Sequence, residues 1–182
     1  GELILDTPNK GDINGDGKVS YIMVQGDPEN VDAQYRTEFS VKALVDAGME
    51  VEELNLTRGD WMRERGQEIV ANDLAQFGDQ VEVVFCNNDD MAIGALQSIQ
   101  AAGRKVNEDI YLVGVDALDA ALNEVSNGNM TGTVLNDAVG QATAAVEQME
   151  ALLGGATFSS GNQSVYVDYV KVTPENVGDF MS

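Results

Sequence analysis

Three side chains that carry oxygen ligands recur at alternate positions near the start of the chain. Asp12, Asn14 and Asp16 occupy positions 1, 3 and 5 of an EF-hand loop pattern, and Gly17 occupies position 6, where the loop turns sharply. In that pattern Lys18 would offer its main-chain carbonyl oxygen, and Ser20 a hydroxyl or a bound water. This donor set suits a hard divalent cation, and we therefore predict a calcium site. A polar turn that binds no metal is the alternative.

The pattern lacks its final carboxylate. Position 12 of the loop is Met23, and the residues from Val19 to Val24 read as a buried strand rather than a helix. The loop would then lie at the amino end of that strand. Glu82 stands at the amino end of another apolar run, Val81–Cys86, where an unpaired carboxylate would be costly. If the two strands are neighbours, Glu82 can complete a calcium site whose role is structural.

A second set of polar side chains follows the predicted strands at their carboxyl ends. The set comprises Asn30, Asp32 and Arg36 after the first strand, Asn87, Asn88, Asp89 and Asp90 after Val81–Cys86, Asp116 after "YLVGV", and Asn136 and Asp137 after "GTVL". One such residue is usually a helix N-cap. Four strands that bring Asp or Asn to the same edge instead favour a ligand site, because open α/β sheets bind ligands there.

The chemistry of these residues is that of hydrogen bonding rather than of reaction. Carboxylates accept from hydroxyl groups, amides both donate and accept, and arginine donates in a planar fork. This inventory suits a neutral, polyhydroxylated ligand. Trp61, the only tryptophan, opens the helix predicted after the second strand, and it could stack on the C–H face of a sugar ring. A core or surface tryptophan is the alternative.

Alternating strand and helix patterns must position both sets of residues. The strands predicted are Val19–Gln25, Glu50–Leu56, Val81–Cys86, Ile110–Val115 and Thr131–Leu135, with an extended run over Ser164–Val172. The helices predicted are Asp32–Ala47, Asp60–Phe77, Asp89–Ala102, Ala120–Ser126 and Ala138–Leu153. Because the strands are continuously apolar, we predict an α/β fold: a three-layer αβα, doubly wound, mostly parallel sheet. The stretch "GGATFSSGNQS" is predicted to be a connecting loop.

Composition excludes several classes of function. The 182 residues are 43% hydrophobic and carry a formal charge of -21, which argues against binding to nucleic acid or to an anionic membrane. There is no histidine, so Ser-His and Cys-His catalytic pairs are excluded. The single Cys86 ends an apolar run and is predicted to be a core residue. The chain begins "GELILDTPNK" rather than with Met, so we expect a processed or excised piece.

Four segments closely resemble the periplasmic galactose/glucose-binding proteins of bacterial ABC sugar transporters. They are "DINGDGKVSYIMVQGDPENVDAQYRTEF", "VEVVFCNNDDMAIGAL", "LVGVDALDAAL" and "GTVLNDAVGQA". The resemblance implies that Asp32, Arg36, Asn88, Asp116 and Asn136 hydrogen-bond the sugar, that Trp61 stacks on it, and that Asn30 stands where the family has a sugar-contacting histidine. It also implies that Asp12, Asn14, Asp16, Lys18, Ser20 and Glu82 bind calcium.

The resemblance further implies one lobe of a two-lobed, extracytoplasmic receptor that closes on its sugar by hinge motion and docks on a membrane permease. On that basis we predict three parts: 1–136 as the carboxyl lobe, 137–168 as a crossover helix and strand that belong to the other lobe, and 169–182 as a return segment. Val139, Ala142, Val146, Met149 and Leu153 form an apolar stripe on the crossover helix. We therefore expect a homodimer through 138–153, or another partner for this stripe.

Two other functions share some of these features. The effector domain of a sugar-responsive transcription regulator has the same fold, but the calcium loop argues against it. A glycosidase could use Asp32 and Asp116 as an acid/base pair, but nothing in the sequence separates their pKa values. We therefore expect a binding protein rather than an enzyme.

Overall fold

Four parallel strands form the central sheet of the protein, in the order β2-β1-β3-β4. The computed structural model describes residues 1–156 and 164–181. The strands are β1 (Lys18–Gln25), β2 (Glu50–Arg58), β3 (Val83–Cys86), β4 (Tyr111–Val113), β5 (Thr133–Leu135) and β6 (Val170–Val172). β5 lies beside β4 through parallel bridges, and it pairs antiparallel with β6. The predicted α/β fold with a mostly parallel sheet is confirmed.

Helices cover both faces of this sheet. They are α1 (Glu2–Leu5), α2 (Val31–Asp46), α3 (Arg63–Phe77), α4 (Asp89–Ala101), α5 (Asp119–Ser126) and α6 (Ala138–Leu153). The side chains of Asn30, Asn88 and Asp137 cap α2, α4 and α6 by accepting hydrogen bonds from main-chain N–H groups of the first turn. These caps place the amino ends of α2 and α4 beside the carboxyl ends of β1 and β3.

The core consists of two apolar clusters, one on each face of the sheet. In β1, Ile22 and Val24 pack into one cluster with α3, α4 and α5, while Tyr21 and Met23 pack into the other with α1 and α2. Successive side chains of a strand point to opposite faces. Because both faces are buried, β1 is apolar at each position from Tyr21 to Val24, which explains its continuous hydrophobic pattern.

The start of α3 differs from the prediction. The sequence pattern predicts a helix from Asp60, but the helix begins at Arg63, and Asp60 and Trp61 have φ angles of 54° and 65°. Trp61 therefore lies in the turn that precedes the helix. The short helix α1 was not predicted, and the extended run from Ser164 contains regular strand only at Val170–Val172.

Helix α6 stands apart from the two core clusters and has no buried residue. Val139 and Leu153, at its two ends, are 77% and 83% exposed. The loop predicted at "GGATFSSGNQS" lies largely outside the described residues. The division at residues 136 and 168 stays a prediction.

Candidate functional site

Arg36 lies at the centre of the polar edge formed by the carboxyl ends of the strands. Its Nη1 donates to the main-chain oxygen of Asn87 at 2.9 Å and to Oδ1 of Asp116 at 3.3 Å. The side chain is only 12% exposed. Its Nε is buried and has no hydrogen-bond partner among the described residues. Residues from α2, from the turn after β3 and from the loop after β4 thus meet at one guanidinium group.

Two aromatic rings lie beside this guanidinium group. The Cζ atom of Arg36 is 5.7 Å from the ring centroid of Trp61 and 6.0 Å from that of Tyr169. The backbone of Gly26 closes one side of the indole, since a Cβ atom there would lie 2.3 Å from the ring. Trp61 is half-buried, so it offers an aromatic surface at the edge where the sequence places the ligand.

The loop after β4 presents Asp116 to this cluster. Burial raises the pKa of Asp116, while the positive charge of Arg36 and a hydrogen bond with Asn136 oppose that rise. The Asp116 carboxylate is thus held between a cation and an amide. This arrangement can accept hydrogen bonds from ligand hydroxyl groups on its remaining lone pairs.

Asn88, Asn30 and Asp32 lie at the amino ends of helices. Oδ1 of Asn88 accepts from the main-chain N–H of Met91 at 3.0 Å, and its Nδ2 donates to the main-chain oxygen of Trp61 at 3.2 Å. Asn30 accepts from the main-chain N–H of Asp32 at 2.8 Å, and both residues are exposed at the start of α2. Five of the seven predicted sugar-binding residues thus contact one another directly or through Arg36, while Asn30 and Asp32 flank them.

An open groove of about 410 Å³ adjoins the cluster on the side of α2. Arg36, Asp32, Tyr35, Phe39 and Tyr169 are among its lining residues. Tyr169 was missed in the sequence because it follows β5 by more than thirty positions, and only the pairing of β5 with β6 brings it near α2.

The predicted metal loop lies at the opposite end of the sheet. Oδ1 of Asp12 accepts from the N–H groups of Gly15 and Asp16, and its Oδ2 accepts from that of Gly17. Oδ1 of Asn14 likewise accepts from the N–H of Asp16 at 2.8 Å. The loop therefore curls around its own carboxylate and amide oxygens.

Glu82, the residue just before the neighbouring strand β3, contacts this loop. β1 and β3 are parallel neighbours, which was the condition for the prediction. Oε1 of Glu82 accepts from the N–H groups of Ile13 and Asn14 at 2.7 and 2.9 Å, and Oε2 accepts from that of Ser20 at 2.8 Å. The side chain is 1% exposed. A buried carboxylate is thus directed at the loop.

The donor chemistry of the loop fits calcium, since carboxylate, amide and carbonyl oxygens are its preferred ligands. In residues 1–156 and 164–181, however, no three His, Cys, Asp or Glu side chains are grouped as a metal centre. The acidic side chains are turned onto the N–H groups of the loop instead. Calcium binding therefore remains a proposal, as do the roles of Lys18 and Ser20.

A family model described as "Periplasmic binding protein domain" matches residues 2–157. The chain belongs to this family. The family resemblance seen in the sequence is thereby confirmed. None of the helices in the described part of the chain is long and apolar enough to cross a membrane.

Curated relatives are also named as binding proteins. The D-galactose/methyl-galactoside binding periplasmic protein of Haemophilus influenzae is 35% identical over 177 residues, which cover 93% of this chain and 52% of the relative. A putative rhizopine-binding protein of Rhizobium meliloti is 31% identical and covers 91% of this chain and 52% of the relative. This chain therefore spans about half the length of the curated relatives it matches.

Solved structures share the fold. A periplasmic solute binding protein of an ABC transporter from Actinobacillus succinogenes, with bound D-allose, has a TM-score of 0.79 at 22% identity, over 90% of this chain and 56% of that chain. A solute binding protein from Bacillus halodurans, with bound myo-inositol, has a TM-score of 0.75 at 28% identity, over 88% of this chain and 53% of that chain. Both cover about half of the solved chain, as expected for one lobe.

Proposed function

We propose that this chain is one lobe of the solute-binding component of an ABC transporter, with a hexose such as galactose or glucose as its ligand. The observation that carries the proposal is the cluster of Arg36, Asp116 and Asn136 beside the Trp61 ring. Its donors and acceptors match adjacent hydroxyl groups, and the ring matches the C–H face of a sugar. Asn30, Asp32 and Asn88 complete the set of sugar contacts.

The role proposed for the site is binding rather than catalysis. The carboxylate of Asp116 is paired with Arg36, which suits it to accept hydrogen bonds from a ligand. The receptor works outside the cytoplasm, where the closed form delivers its sugar to a membrane permease. Relatives bear the names of binding proteins for D-galactose and methyl-galactoside, for D-ribose and D-allose, and for xylitol, which supports a polyhydroxylated ligand.

Calcium has a structural role in this proposal. The cation is held by side-chain oxygens of Asp12, Asn14, Asp16 and Ser20, by the carbonyl oxygen of Lys18 and by the carboxylate of Glu82. It neutralises the buried charge of Glu82 and ties the loop before β1 to the start of β3. The support is the burial of Glu82 and its position within hydrogen-bond distance of the loop.

The exposed apolar stripe of α6 is proposed to join two copies of this chain. Val139, Val146, Met149 and Leu153 all lie at least half exposed along the helix. Exposed apolar stripes of this length favour association, because burying them removes nonpolar surface from water.

The sugar proposal is tested by NMR titration of the ¹⁵N-labelled chain with D-galactose, D-glucose, D-allose, D-ribose and myo-inositol. Because one lobe supplies only part of the contacts, we expect millimolar or weaker affinity, about -4 kcal/mol. Shifts should be confined to the amides around Arg36, Trp61, Asn88, Asp116 and Asn136 and to the Trp61 indole N–H. The absence of shifts there with every sugar, or hydrolysis of a glycoside by the chain, would contradict the proposal.

A further inference from the structure

The loop that presents Asp116 is held in an unfavourable conformation. Asp116 and Ala117 have φ angles of 122° and 58°, so two consecutive residues other than glycine lie at positive φ. Such conformations persist only where the surrounding structure holds them. Asp116 is also the carboxylate that faces Arg36. The groups that hold this loop therefore decide where that carboxylate lies.

Asp89, the first residue of α4, contacts the chain on both sides of this strained pair. Its main-chain N–H donates to the oxygen of Val115 at 2.8 Å, just before the pair. Its Oδ2 accepts from the N–H of Leu118 at 2.9 Å, just after the pair. The N–H of Ala117, within the pair, donates to the hydroxyl of Thr133 at 3.4 Å, and that hydroxyl in turn donates to Asp89. One buried residue thus brackets the strained segment.

The same carboxyl group links the loop to β5. Its Oδ1 accepts from the hydroxyl of Thr133 at 2.6 Å, and both side chains are fully buried. Gly114 leaves room for this contact, since a Cβ atom there would lie 2.3 Å from Oδ1 of Asp89. All of these partners are N–H or O–H donors, so they require an acceptor at both oxygens of Asp89.

We propose that Asp89 is the positioning residue of the ligand site: by holding Leu118 and Thr133 it fixes the strained loop that presents Asp116 to ligand hydroxyl groups. Asp89 is 0% exposed and lies beneath the loop, so it acts through Asp116 and not on the ligand itself. The inference rests on the proposed sugar-binding function of Asp116.

The charge state of Asp89 affects this anchoring because protonation turns one carboxyl oxygen into a hydroxyl donor, which competes with the N–H and O–H donors around it. Burial raises the pKa of Asp89 to about 7, against the lowering by its hydrogen bonds with Thr133 and Leu118. The titratable groups that act on it are Asp116, which carries Arg36 as its partner, and the buried Cys86 thiol. Ligand affinity is therefore expected to increase as the pH rises through neutrality and Asp89 loses its proton.

The test compares Asp89→Asn with Asp73→Asn in the ¹⁵N-labelled 182-residue chain. Asp73 is a matched control because it is a buried acid on another part of the fold, and its carboxyl group accepts from the side chain of Asn55. With D-galactose and myo-inositol as probes, Asp89→Asn is expected to weaken binding about tenfold. It should also remove the pH dependence above pH 6 and shift the amides of residues 116–118 before any sugar is added. Asp73→Asn should do none of these.

A second pair of variants covers the case in which Asp89→Asn does not fold. Thr133→Val removes the hydroxyl donor at similar volume, and Thr133→Ser keeps it, so only the former should weaken binding and shift the amides of residues 116–118. A folded Asp89→Asn with unchanged affinity and unchanged amides would overturn the inference, as would equal behaviour of the two Thr133 variants. Failure of the wild-type chain to bind any sugar would instead refute the proposed function, and the sugar-free amide shifts would still test the anchoring of the loop.

Discussion

The carboxylate of Glu82 accepts a hydrogen bond from the main-chain N–H of Ser20 at 2.8 Å, although 62 residues separate them in the chain. Two further N–H groups of the loop, those of Ile13 and Asn14, donate to the same side chain. Glu82 thus joins the start of β1, the loop before it and the start of β3. Because the carboxylate of Glu82 is buried, the stability of the folded chain should depend on the groups that neutralise its negative charge.

Calcium is expected to stabilise the wild-type chain through this junction. At a calcium concentration 100 times the dissociation constant, binding to the folded state adds about 2.7 kcal/mol to the free energy of unfolding. In the Glu82→Gln variant, calcium should raise the free energy of unfolding much less, because a neutral amide replaces the carboxylate ligand. Thermal unfolding with calcium and with a chelator measures the effect. Glu108→Gln, an exposed glutamate that pairs with Lys105, is the control, and an equal response of both variants would refute the calcium site.

Replacement of Arg36 by lysine should weaken sugar binding about tenfold or more, because the compact ammonium of lysine lacks the planar guanidinium group that lies beside the rings of Trp61 and Tyr169. Trp61 is the only tryptophan, so its fluorescence reports directly on the site. A sugar-dependent change in emission is expected for the wild type and a much weaker one for Arg36→Lys. Arg65→Lys, on the exposed face of α3 beside Glu68, should behave like the wild type.

Burial of Asp89 should make the stability of the fold depend on pH. The pKa of Asp89 is about 7 in the folded chain and 3.8 when the residue is exposed. Between about pH 4 and pH 7 the folded state therefore binds more protons than the unfolded state. The contribution of Asp89 to stability is therefore largest at low pH and decreases as the pH rises from about 4 to about 7, by at most about 1.4 kcal/mol per pH unit. Urea unfolding as a function of pH should show a smaller slope for Asp89→Asn. The exposed Asp119→Asn serves as the control that should keep the wild-type slope.

Cys86 should not react with thiol reagents in the folded protein. Burial raises the pKa of its thiol far above the ordinary value, and the thiolate is the reactive form. Labelling with iodoacetamide is expected to begin only when urea unfolds the chain, so its rate reports on global unfolding. Rapid labelling under native conditions would show that β3 opens locally.

Charged substitutions on α6 should disrupt association of the chain. Val146→Glu with Met149→Glu places two like charges in the apolar stripe, and sedimentation velocity is expected to show a shift from dimer to monomer. Ala151→Glu adds a charge to the other side of the same helix and should leave the dimer intact. A wild-type chain that remains monomeric at high concentration would contradict the proposed association.

Much of the fold could be predicted because burial leaves a strong pattern. Continuous apolar runs located β1, β3 and β4, and the helix closed by Gly48 ends within one residue of its prediction. The start of α3 was placed three residues too early, because the positive φ angles of Asp60 and Trp61 leave no signal in the side-chain pattern. The four-residue α1 is too short to show a helical period.

The candidate site was less fully predictable. Residues at the ends of strands could be grouped on one edge from topology alone, and Arg36, Asp116 and Asn136 indeed meet there. The supporting contacts could not be predicted. Asn87 ties Gly26 and Thr37 together through its buried side chain, and Asp89 holds the loop after β4, but in the sequence both resemble ordinary helix-capping residues.

The indole of Trp61 lies flat against bare backbone at Gly26. Even alanine at position 26 would tip the ring, although residue 26 itself offers no side chain to any ligand. Random mutagenesis should therefore yield variants at position 26 that no longer bind the ligand, although this residue has no polar side chain. As this fold evolves new ligand preferences, glycine must therefore be retained at position 26 for as long as Trp61 keeps its place in the site.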